Sequence, residues 1–408
     1  MVSDVILVDC VSCFDYDRNN NDGEKGELFM DKRLSLHNYE NCIANLPNSI
    51  LKKYGVEPVG KTLPVADRLL EGDYKNVVLL LLDGMGTCIM ESNLREEGFL
   101  RRHFVESIQT VFPPTTVAAT NSAMSGLQPV EHAWLGWDCY YPQVDKNVTV
   151  FLNTEQGTDT PVAEESVAWK YCGYQSVVDL LNNAGKKAYH VTPFTPPYPD
   201  SFEAVCSRIV KLCEEDEKKY IYAYWNEPDS IMHRCGCYSE EAKRVVTDLE
   251  NEIRKMCEHL EDTLLIVTAD HGHCDGRNVS ITDYPKILEC LVRMPSIEPR
   301  ALNLFVKADK RKQFEEEFRK EFGEDFLLLT KEEVYQEKLF GTGTPHRNVD
   351  AMLGDYLAIS TTDLTIFNTK EETEAFKGIH AGYTSDEMRI PIIAVANPAG
   401  HIGGQRQS

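Results

Sequence analysis

The sequence predicts an α/β fold: a doubly wound, mostly parallel sheet flanked by helices, with an inserted α+β cap subdomain. Short, continuous apolar runs are typical of strands that are buried on both faces of such a sheet. Stretches with helical apolar spacing separate these runs, and this alternation of strand and helix is the mark of the class. The predicted strands are 77–82, 187–192, 220–225, 264–268 and 390–395.

Two stretches between the strands have the pattern of crossover helices. Residues 167–184 and 239–260 carry apolar side chains at helical spacing, and the second stretch has Glu and Lys interspersed along its outer side. An apolar stripe that faces the sheet and a charged face toward solvent are what a crossover helix needs.

A region of different composition begins after about Pro285. It predicts a strand, a charged helix, a strand and a helix, followed by an apolar run at 356–367. We therefore predict a core at 30–285 and 376–408, with a cap subdomain at 286–375. A cap over an open sheet commonly shapes the substrate pocket and excludes water, although a purely structural subdomain fits the pattern equally well.

The first 29 residues differ from the rest of the chain. An ordinary globular segment begins at Met30, so residues 1–29 are expected to be a disordered tail or an upstream extension of the reading frame. Whether the native protein contains them is left open by the sequence.

Composition limits the classes of function. The formal net charge of -23 in 408 residues argues against a nucleic-acid groove, because tracking phosphates needs dense surface Lys and Arg. No run of about 18 apolar residues and no secretory signal pattern are visible, so we expect a cytoplasmic protein without a membrane segment. The oligomeric state is left open.

Acids and imidazoles follow several of the predicted strands. Because the carboxyl ends of parallel strands meet at one edge of a sheet, side chains placed there are expected to converge. Carboxylates and imidazoles are the usual protein ligands of zinc, and a pair of bound ions supports hydrolysis. The sequence therefore predicts a two-metal hydrolase, with Asp83, Asp229, His233, Asp270, His271 and His380 as candidate ligands.

Each candidate ligand has an ordinary structural alternative. Asp229 and His233 are one helical turn apart, but a solvated carboxylate and a core histidine would give the same spacing. Asp270 and His271 directly follow a buried strand, where a charged pair is costly unless it is paired or coordinated. His273 is expected to support a ligand or to pack, rather than to bind metal itself.

The candidate nucleophile is a threonine after two prolines. Thr115 and Thr116 precede a helix-compatible stretch that ends at Gly126, so one of them lies at a helix N-terminus. The unpaired amides there would stabilise an alkoxide, and metal coordination would lower the hydroxyl pKa further. An ordinary capping threonine is the alternative.

These motifs together resemble the alkaline phosphatase superfamily, and most closely its type I phosphodiesterase and nucleotide pyrophosphatase branch. The resemblance rests on LLLLDGMG, FPPTTVAATNSAMSGLQPVEHAWLG, the Asp229 and His233 pair, TADHGH and GIHAG, in that order. It covers roughly 75–285 and the chain from residue 378 onward.

The resemblance implies two divalent metal ions, zinc in the first place and manganese or magnesium as alternatives. It assigns Asp229, His233 and His380 to one ion, and Asp83, Thr116, Asp270 and His271 to the other. Counting back from Gly126 favours Thr116 over Thr115 as the nucleophile. The implied reaction passes through a phosphothreonyl intermediate.

The substrate is less well defined by the sequence. Relatives that act on nucleotides have an Asn downstream of the nucleophile, at the place that Trp137 occupies here. Trp134, Trp137 and Tyr140 are candidate contacts for a nucleobase, although such aromatic residues belong to a core equally often. Sulfatases are disfavoured, because no Cys-x-Pro-x-Arg setting surrounds Thr116.

We therefore expect hydrolysis of a phosphodiester or pyrophosphate bond in a nucleotide or related small molecule. A phosphomonoesterase and a phosphonate hydrolase of the same superfamily are the alternatives, because specificity in such folds sits in caps and loops. A protein that keeps the metals but only binds a ligand is a third possibility.

Overall fold

The computed structural model describes residues 38–397, so the predicted tail at 1–29 lies outside the described residues. At its centre is a six-stranded sheet with helices on both faces, as the sequence predicts. All five predicted strands belong to it, and the sixth lies at one edge. In spatial order the strands are Phe104–Gln109, Arg389–Asn397, Thr263–Thr268, Asn76–Leu82, Lys219–Trp225 and Lys187–Val191.

The four strands from Thr263–Thr268 to Lys187–Val191 are parallel, and Arg389–Asn397 runs antiparallel to both of its neighbours. Every residue of the central strand, Asn76–Leu82, is buried, which explains its continuous apolar sequence. The missed edge strand, Phe104–Gln109, has mostly half-buried side chains and lacks such a run.

One predicted helix is two helices in the structure. The stretch 167–184 forms Val167–Cys172 and Val177–Asn183. Gly173 has an extended backbone, and Ser176 starts the second helix with a reciprocal capping box, so the chain turns between them. The other predicted helix, 239–260, is observed as Glu240–Cys257.

The remaining α-helices are mostly short and connect the strands. They are Leu46–Lys53, Pro64–Leu69, Thr87–Asn93, Phe99–Arg102, Thr116–Ser125, Pro129–His132, Phe202–Glu214, Asp229–Cys235, Pro285–Leu288, Arg311–Phe322, Lys331–Gln336, Val349–Met352, Lys370–Ala375 and Ser385–Met388.

A second sheet has seven strands, which come from two separate parts of the chain. Three of its strands come from 138–155, within the predicted core, and four come from 296–360, within the predicted cap. The division into core and cap at 286–375 stays a prediction. In order the strands are Phe326–Thr330, Tyr356–Ser360, Ala301–Leu304, Ser296–Glu298, Asp138–Tyr141, Lys146–Thr149 and Thr154–Glu155.

Two small strand pairs complete the fold. Arg277–Ser280 pairs with Leu364–Phe367 in parallel, and Cys274–Asp275 pairs with Gly378–Ile379 in antiparallel orientation. The second pair brings the segment after Asp270 next to the segment that carries His380. Among residues 38–397, no helix is both long and apolar enough to cross a bilayer.

Candidate active site

Thr116 is the first residue of the helix Thr116–Ser125, which ends at Gly126 in a left-handed conformation with φ 77°. Thr115 precedes it with an extended backbone, but its hydroxyl does not cap the helix. That hydroxyl instead donates a hydrogen bond of 2.6 Å to the carboxylate of Glu298. The two threonines therefore have different surroundings. Thr115 is hydrogen-bonded to a strand of the second sheet, whereas Thr116 is the first residue of the helix.

The hydroxyl of Thr116 faces the ends of the central strands. Its Oγ1 lies 3.4 and 3.5 Å from the two carboxylate oxygens of Asp83 and 3.3 Å from Nε2 of His271. The exposed amides at the start of its helix favour negative charge on this oxygen. An alkoxide at Thr116 would thus be stabilised by its backbone surroundings.

Asp83 and Asp270 follow neighbouring parallel strands, which brings their carboxylates to the same edge of the sheet. Oδ1 of Asp270 accepts hydrogen bonds from the backbone amides of Gly84 and His271 at 3.0 and 2.9 Å. Oδ2 of Asp270 is buried and has no hydrogen-bond partner among the described residues. The hydroxyl of Tyr224 donates to Oδ2 of Asp83. Oδ2 of Asp270 is therefore a buried carboxylate oxygen that accepts no hydrogen bond.

Asp229 is surrounded by imidazoles. Nε2 of His233 lies 3.3 Å from its Oδ1, and Nε2 of His380 lies 3.7 Å from the same oxygen. Nδ1 of His233 is 2.8 Å from the carbonyl of Gly378, and Nδ1 of His380 is 3.1 Å from that of Pro114. An Nδ1–H donated to a carbonyl leaves Nε2 free as a metal ligand.

The carboxylates and imidazoles at the site shift one another's pKa. Burial and the nearby carboxylate of Asp229 raise the pKa of Asp83, and burial and Asp83 raise the pKa of Asp270. Burial opposes protonation of His271, but Asp270 and Asp83 outweigh it and raise the pKa of His271 to about 10. Three carboxylates this close together are costly without added positive charge.

These residues fit a pair of divalent metal ions. Carboxylate oxygens and imidazole nitrogens suit zinc. Oδ2 of Asp270 lies 3.5 Å from Nε2 of His271 but accepts no hydrogen bond in the described chain, so it is available as a metal ligand. In each of two groups the ligand atoms lie within 4.8 Å of one another. The groups are Asp229, His233, His273 and His380, and Asp83, Asp229 and His271.

Sequence reasoning placed His273 outside the set of ligands, and the structure brings it into the first group. Its Nε2 lies 2.7 Å from Oδ1 of Asp229, and its Nδ1 is buried without a hydrogen-bond partner in the described chain. The signal in the sequence was the second histidine of TADHGH, two positions after His271.

Glu298 is a second residue that the sequence did not point to. It ends a strand of the second sheet and accepts hydrogen bonds from Thr115 and from the backbone amide of Trp137, at 2.6 and 2.8 Å. Burial raises the pKa of Glu298 to about 7, and Asp138 adds to the effect. No sequence pattern marks a lone carboxylate brought in by a distant strand.

The three aromatic residues predicted to contact the substrate have different positions in the structure. Trp137 is 42% exposed and lines a cavity beside Thr116. Trp134 is buried, and its indole N–H donates to the carbonyl of Cys172, so it belongs to the core. Tyr140 donates its hydroxyl to Asp145 away from the site. The positions of Trp134 and Tyr140 do not support a role in substrate binding.

Two cavities meet at Thr116. One of about 280 Å³ contains the side chains of Asp229, His233 and His380. The other, of about 320 Å³, is largely aromatic, and its lining residues include Trp169, Tyr174, Phe194, Tyr222 and Tyr224. A molecule that reacts at Thr116 therefore has room for two substituents.

Solved structures with the same fold include the ectonucleotide pyrophosphatases / phosphodiesterases. Murine ectonucleotide pyrophosphatase / phosphodiesterase 5 matches with a TM-score of 0.60 and 16% identity, over 79% of this chain and 90% of that chain. An inactive threonine-to-alanine variant of the murine protein in complex with AMP gives the same values. The human protein matches with a TM-score of 0.58, 16% identity and the same coverage.

The chain was also compared with curated proteins and with family models. No curated protein gives a significant match. The family model of the type I phosphodiesterases / nucleotide pyrophosphatases matches residues 77–383, which contain the helix of Thr116 and every candidate metal ligand. The chain therefore belongs to the type I phosphodiesterase / nucleotide pyrophosphatase family, a family of phosphoric ester hydrolases.

Proposed function

We propose that the protein hydrolyses a phosphodiester or pyrophosphate bond of a nucleotide or related small molecule, with Thr116 as the nucleophile and two divalent ions as cofactors. The observation that carries this proposal is the position of Thr116 Oγ1. It lies at a helix N-terminus, within 3.5 Å of both Asp83 and His271, and Thr116 lines the same cavity as Asp229, His233 and His380.

The residues would divide into two sets around the reacting phosphate. Asp229, His233 and His380 would hold one ion, and Asp83, Asp270, His271 and Thr116 the other. When bound, such ions polarise phosphoryl oxygens, lower the pKa of a coordinated hydroxyl and offset the charge on a departing oxygen. Zinc suits the mixed imidazole and carboxylate donors best.

The reaction would proceed in two displacements. Oγ1 of Thr116 forms a bond to phosphorus, and the bond from phosphorus to the leaving alcohol or phosphate breaks, which yields a phosphothreonine ester. Water then attacks the same phosphorus and returns Thr116 as the free hydroxyl. The helix N-terminus stabilises the oxyanion of Thr116 before the first step and after the second.

The aromatic cavity supports a nucleoside as one substituent. The ring centroids of Tyr224 and Phe194 lie 6.1 Å apart at the wall of this cavity. The ring of Phe194 is exposed, and an exposed aromatic ring can stack on a base. The murine relative has been solved with AMP in its inactive variant, which is in keeping with this substrate class. The net charge of -23 disfavours a polynucleotide.

The test is hydrolysis of bis(p-nitrophenyl) phosphate and of nucleotide, monoester and phosphonate substrates, with zinc, manganese or magnesium added. Thr116→Ala should abolish turnover while metal analysis still finds about two ions per chain. Thr116→Ser, which keeps a hydroxyl, is the matched control and should retain turnover. Full activity of Thr116→Ala would refute the nucleophile, and hydrolysis of monoesters alone would point to the phosphomonoesterase alternative.

A further inference from the structure

Ile297 has a backbone conformation that β-branched residues rarely adopt. Its φ is 72°, in the left-handed region, although the residue belongs to the strand Ser296–Glu298. The neighbouring Gly136 packs so closely that a Cβ atom on it would lie 2.7 Å from the carbonyl oxygen of Ile297. Strain of this kind persists only where the surrounding structure holds it, and it concentrates at functional sites. The residue that follows the strained position is Glu298.

One oxygen of Glu298 joins three separate parts of the chain. Oε1 accepts a hydrogen bond from the hydroxyl of Thr115, which is 183 residues away in the sequence, and another from the backbone amide of Trp137, which is 161 residues away. The two distances are 2.6 and 2.8 Å, within the range of well-formed hydrogen bonds. Thr115 is 1% exposed, so water competes little for its bond to Glu298.

The hydroxyl of Thr115 is diverted from its usual role. Thr115 precedes the helix Thr116–Ser125, where a threonine side chain ordinarily accepts a hydrogen bond from an amide of the first turn, yet no such capping bond is present. The hydroxyl instead donates to Glu298. The local stabilisation that a cap provides is thus replaced by a tertiary contact, which attaches the start of the helix to the second sheet.

The two residues before Thr116 are held from two sides. The carbonyl oxygen of Pro114 lies 3.1 Å from Nδ1 of His380, and the hydroxyl of Thr115 is bonded to Glu298. Because both contacts act on neighbouring residues, they restrict the backbone rotations that would turn Thr116 away from the site.

The direction of Oγ1 of Thr116 decides whether it can react. An oxygen that displaces a group at phosphorus must lie opposite that group, so that the forming and breaking bonds are in line. A shift of about 1 Å away from this position can cost about 100-fold in rate. Oγ1 lies 3.4 Å from Asp83 and 3.3 Å from His271, so a small rotation of the helix start would change its whole surroundings.

We propose that Glu298 is a positioning residue, which acts through Thr115 to hold the start of the helix in the orientation that in-line attack by Thr116 requires. The role needs an acceptor oxygen at this place, but neither a negative charge nor a proton transfer. This proposal rests on the proposed function, since it takes Thr116 as the nucleophile.

Kinetics test the role of the acceptor oxygen. Glu298→Ala should lower kcat for bis(p-nitrophenyl) phosphate about 100-fold, with KM and metal content close to those of the wild type. Thr115→Val, which keeps the shape of the side chain and removes its hydroxyl, should have a similar effect. Glu298→Gln keeps the acceptor oxygen and should restore most of the rate. A Glu298→Gln variant as slow as Glu298→Ala would overturn the proposal, because charge or proton transfer would then be required.

Thr149→Val is the matched control. The hydroxyl of Thr149 donates a hydrogen bond of 2.6 Å to the carboxylate of Asp138, and this bond joins two neighbouring strands of the second sheet. Thr149 is buried as Thr115 is. Thr149→Val should therefore lower thermal stability about as much as Thr115→Val and leave kcat unaltered. An equal loss of kcat in the two variants would assign the effect to general destabilisation and contradict the positioning role.

A double variant shows whether the two residues act together. Glu298→Ala combined with Thr115→Val should be no slower than the slower single variant, because both changes remove the same hydrogen bond. Losses that multiply would mean that Glu298 does not act through Thr115, which would overturn the proposal.

Orthovanadate provides a measurement without turnover. Its five-coordinate adduct resembles an in-line displacement, whereas inorganic phosphate resembles the ground state. In calorimetric titrations of the zinc-loaded full chain, Glu298→Ala should weaken vanadate binding at least about tenfold more than phosphate binding. An unchanged ratio of the two affinities would contradict the positioning role.

The two proposals fail in different ways. Full activity of Thr116→Ala would refute the nucleophile, whereas a Glu298→Ala variant as active as the wild type would refute only the positioning role. If no ester is hydrolysed, the reaction proposed above fails, and the ratio of vanadate to phosphate affinity still decides whether Glu298 orients Thr116.

Discussion

Nε2 of His273 lies 2.7 Å from Oδ1 of Asp229, the oxygen that His233 and His380 also approach. His273 is fully buried, so its ring has no solvent to turn toward. It fixes the direction of the Asp229 carboxylate and joins the group of atoms that could hold a metal ion. Loss of the His273 side chain should therefore reduce the affinity for metal more than it reduces the stability of the fold.

His273→Ala should weaken binding of one metal ion by about 10- to 100-fold, the usual effect of removing a residue that orients a ligand. Competition with a zinc chelator measures this affinity directly. His259→Ala removes an exposed imidazole and should bind both ions as the unaltered chain does. Equal affinities in the two variants would show that His273 only packs.

Arg300 and Glu387 form a buried ion pair next to the segment of His380. Nε and Nη2 of Arg300 donate to the two oxygens of Glu387 at 2.7 and 2.8 Å, and both side chains are 0% exposed. Glu387→Gln should lower the free energy of unfolding by about 3 kcal/mol at neutral pH, because it leaves the guanidinium buried without its counter-charge. Urea unfolding measures the difference.

The same pair predicts a pH dependence. Burial opposes ionisation of Glu387, but Arg300 outweighs it and lowers the pKa of Glu387 below the ordinary value of 4.5. A carboxyl group with a lowered pKa contributes stability above its unfolded pKa and loses it as the pH falls through the folded pKa. The difference between wild type and Glu387→Gln should thus shrink below pH 4.5. A difference that stays constant into acid would contradict the assignment.

Gly272 is required by close backbone contact. A Cβ atom on Gly272 would lie 1.9 Å from the carbonyl oxygen of Asp386, and Gly272 N also donates to Glu387. Gly272→Ala should therefore displace the neighbouring His271 and lower both thermal stability and metal content. Gly185→Ala is the control: Gly185 has φ +73° but open space around it, so only a backbone cost of about 1–2 kcal/mol is expected.

Phe194 tests the aromatic cavity. Its ring is 71% exposed at the cavity wall. Phe194→Ala should raise the KM for a nucleotide diester about tenfold, because stacking of a base on an aromatic ring contributes on the order of 1–3 kcal/mol. Tyr198→Ala removes an exposed ring outside this lining and should leave KM unaltered. Equal KM values in all three proteins would place the base elsewhere.

Much of the fold followed from local patterns. The central strands Asn76–Leu82, Lys219–Trp225 and Thr263–Thr268 were predictable because both of their faces are covered, which favours a continuous apolar run. The edge strand Phe104–Gln109 was not, since half-buried positions mix polar and apolar residues. The stretch 167–184 kept its helical spacing across a turn at Gly173, so periodicity alone joined two helices into one.

The site divides in the same way. Asp83, Asp229, Asp270 and His271 could be named as candidate ligands from local sequence, because acids and imidazoles that closely follow buried parallel strands converge at one edge of the sheet. Thr116 and His380 follow no such strand and were named from the motifs around them. Local sequence could not show that His273 contacts Asp229, that Trp134 is buried in the core, or that Glu298 accepts a hydrogen bond from Thr115. These contacts join residues far apart in the chain. Their geometry depends on how the two sheets and their loops pack, which no local spacing records.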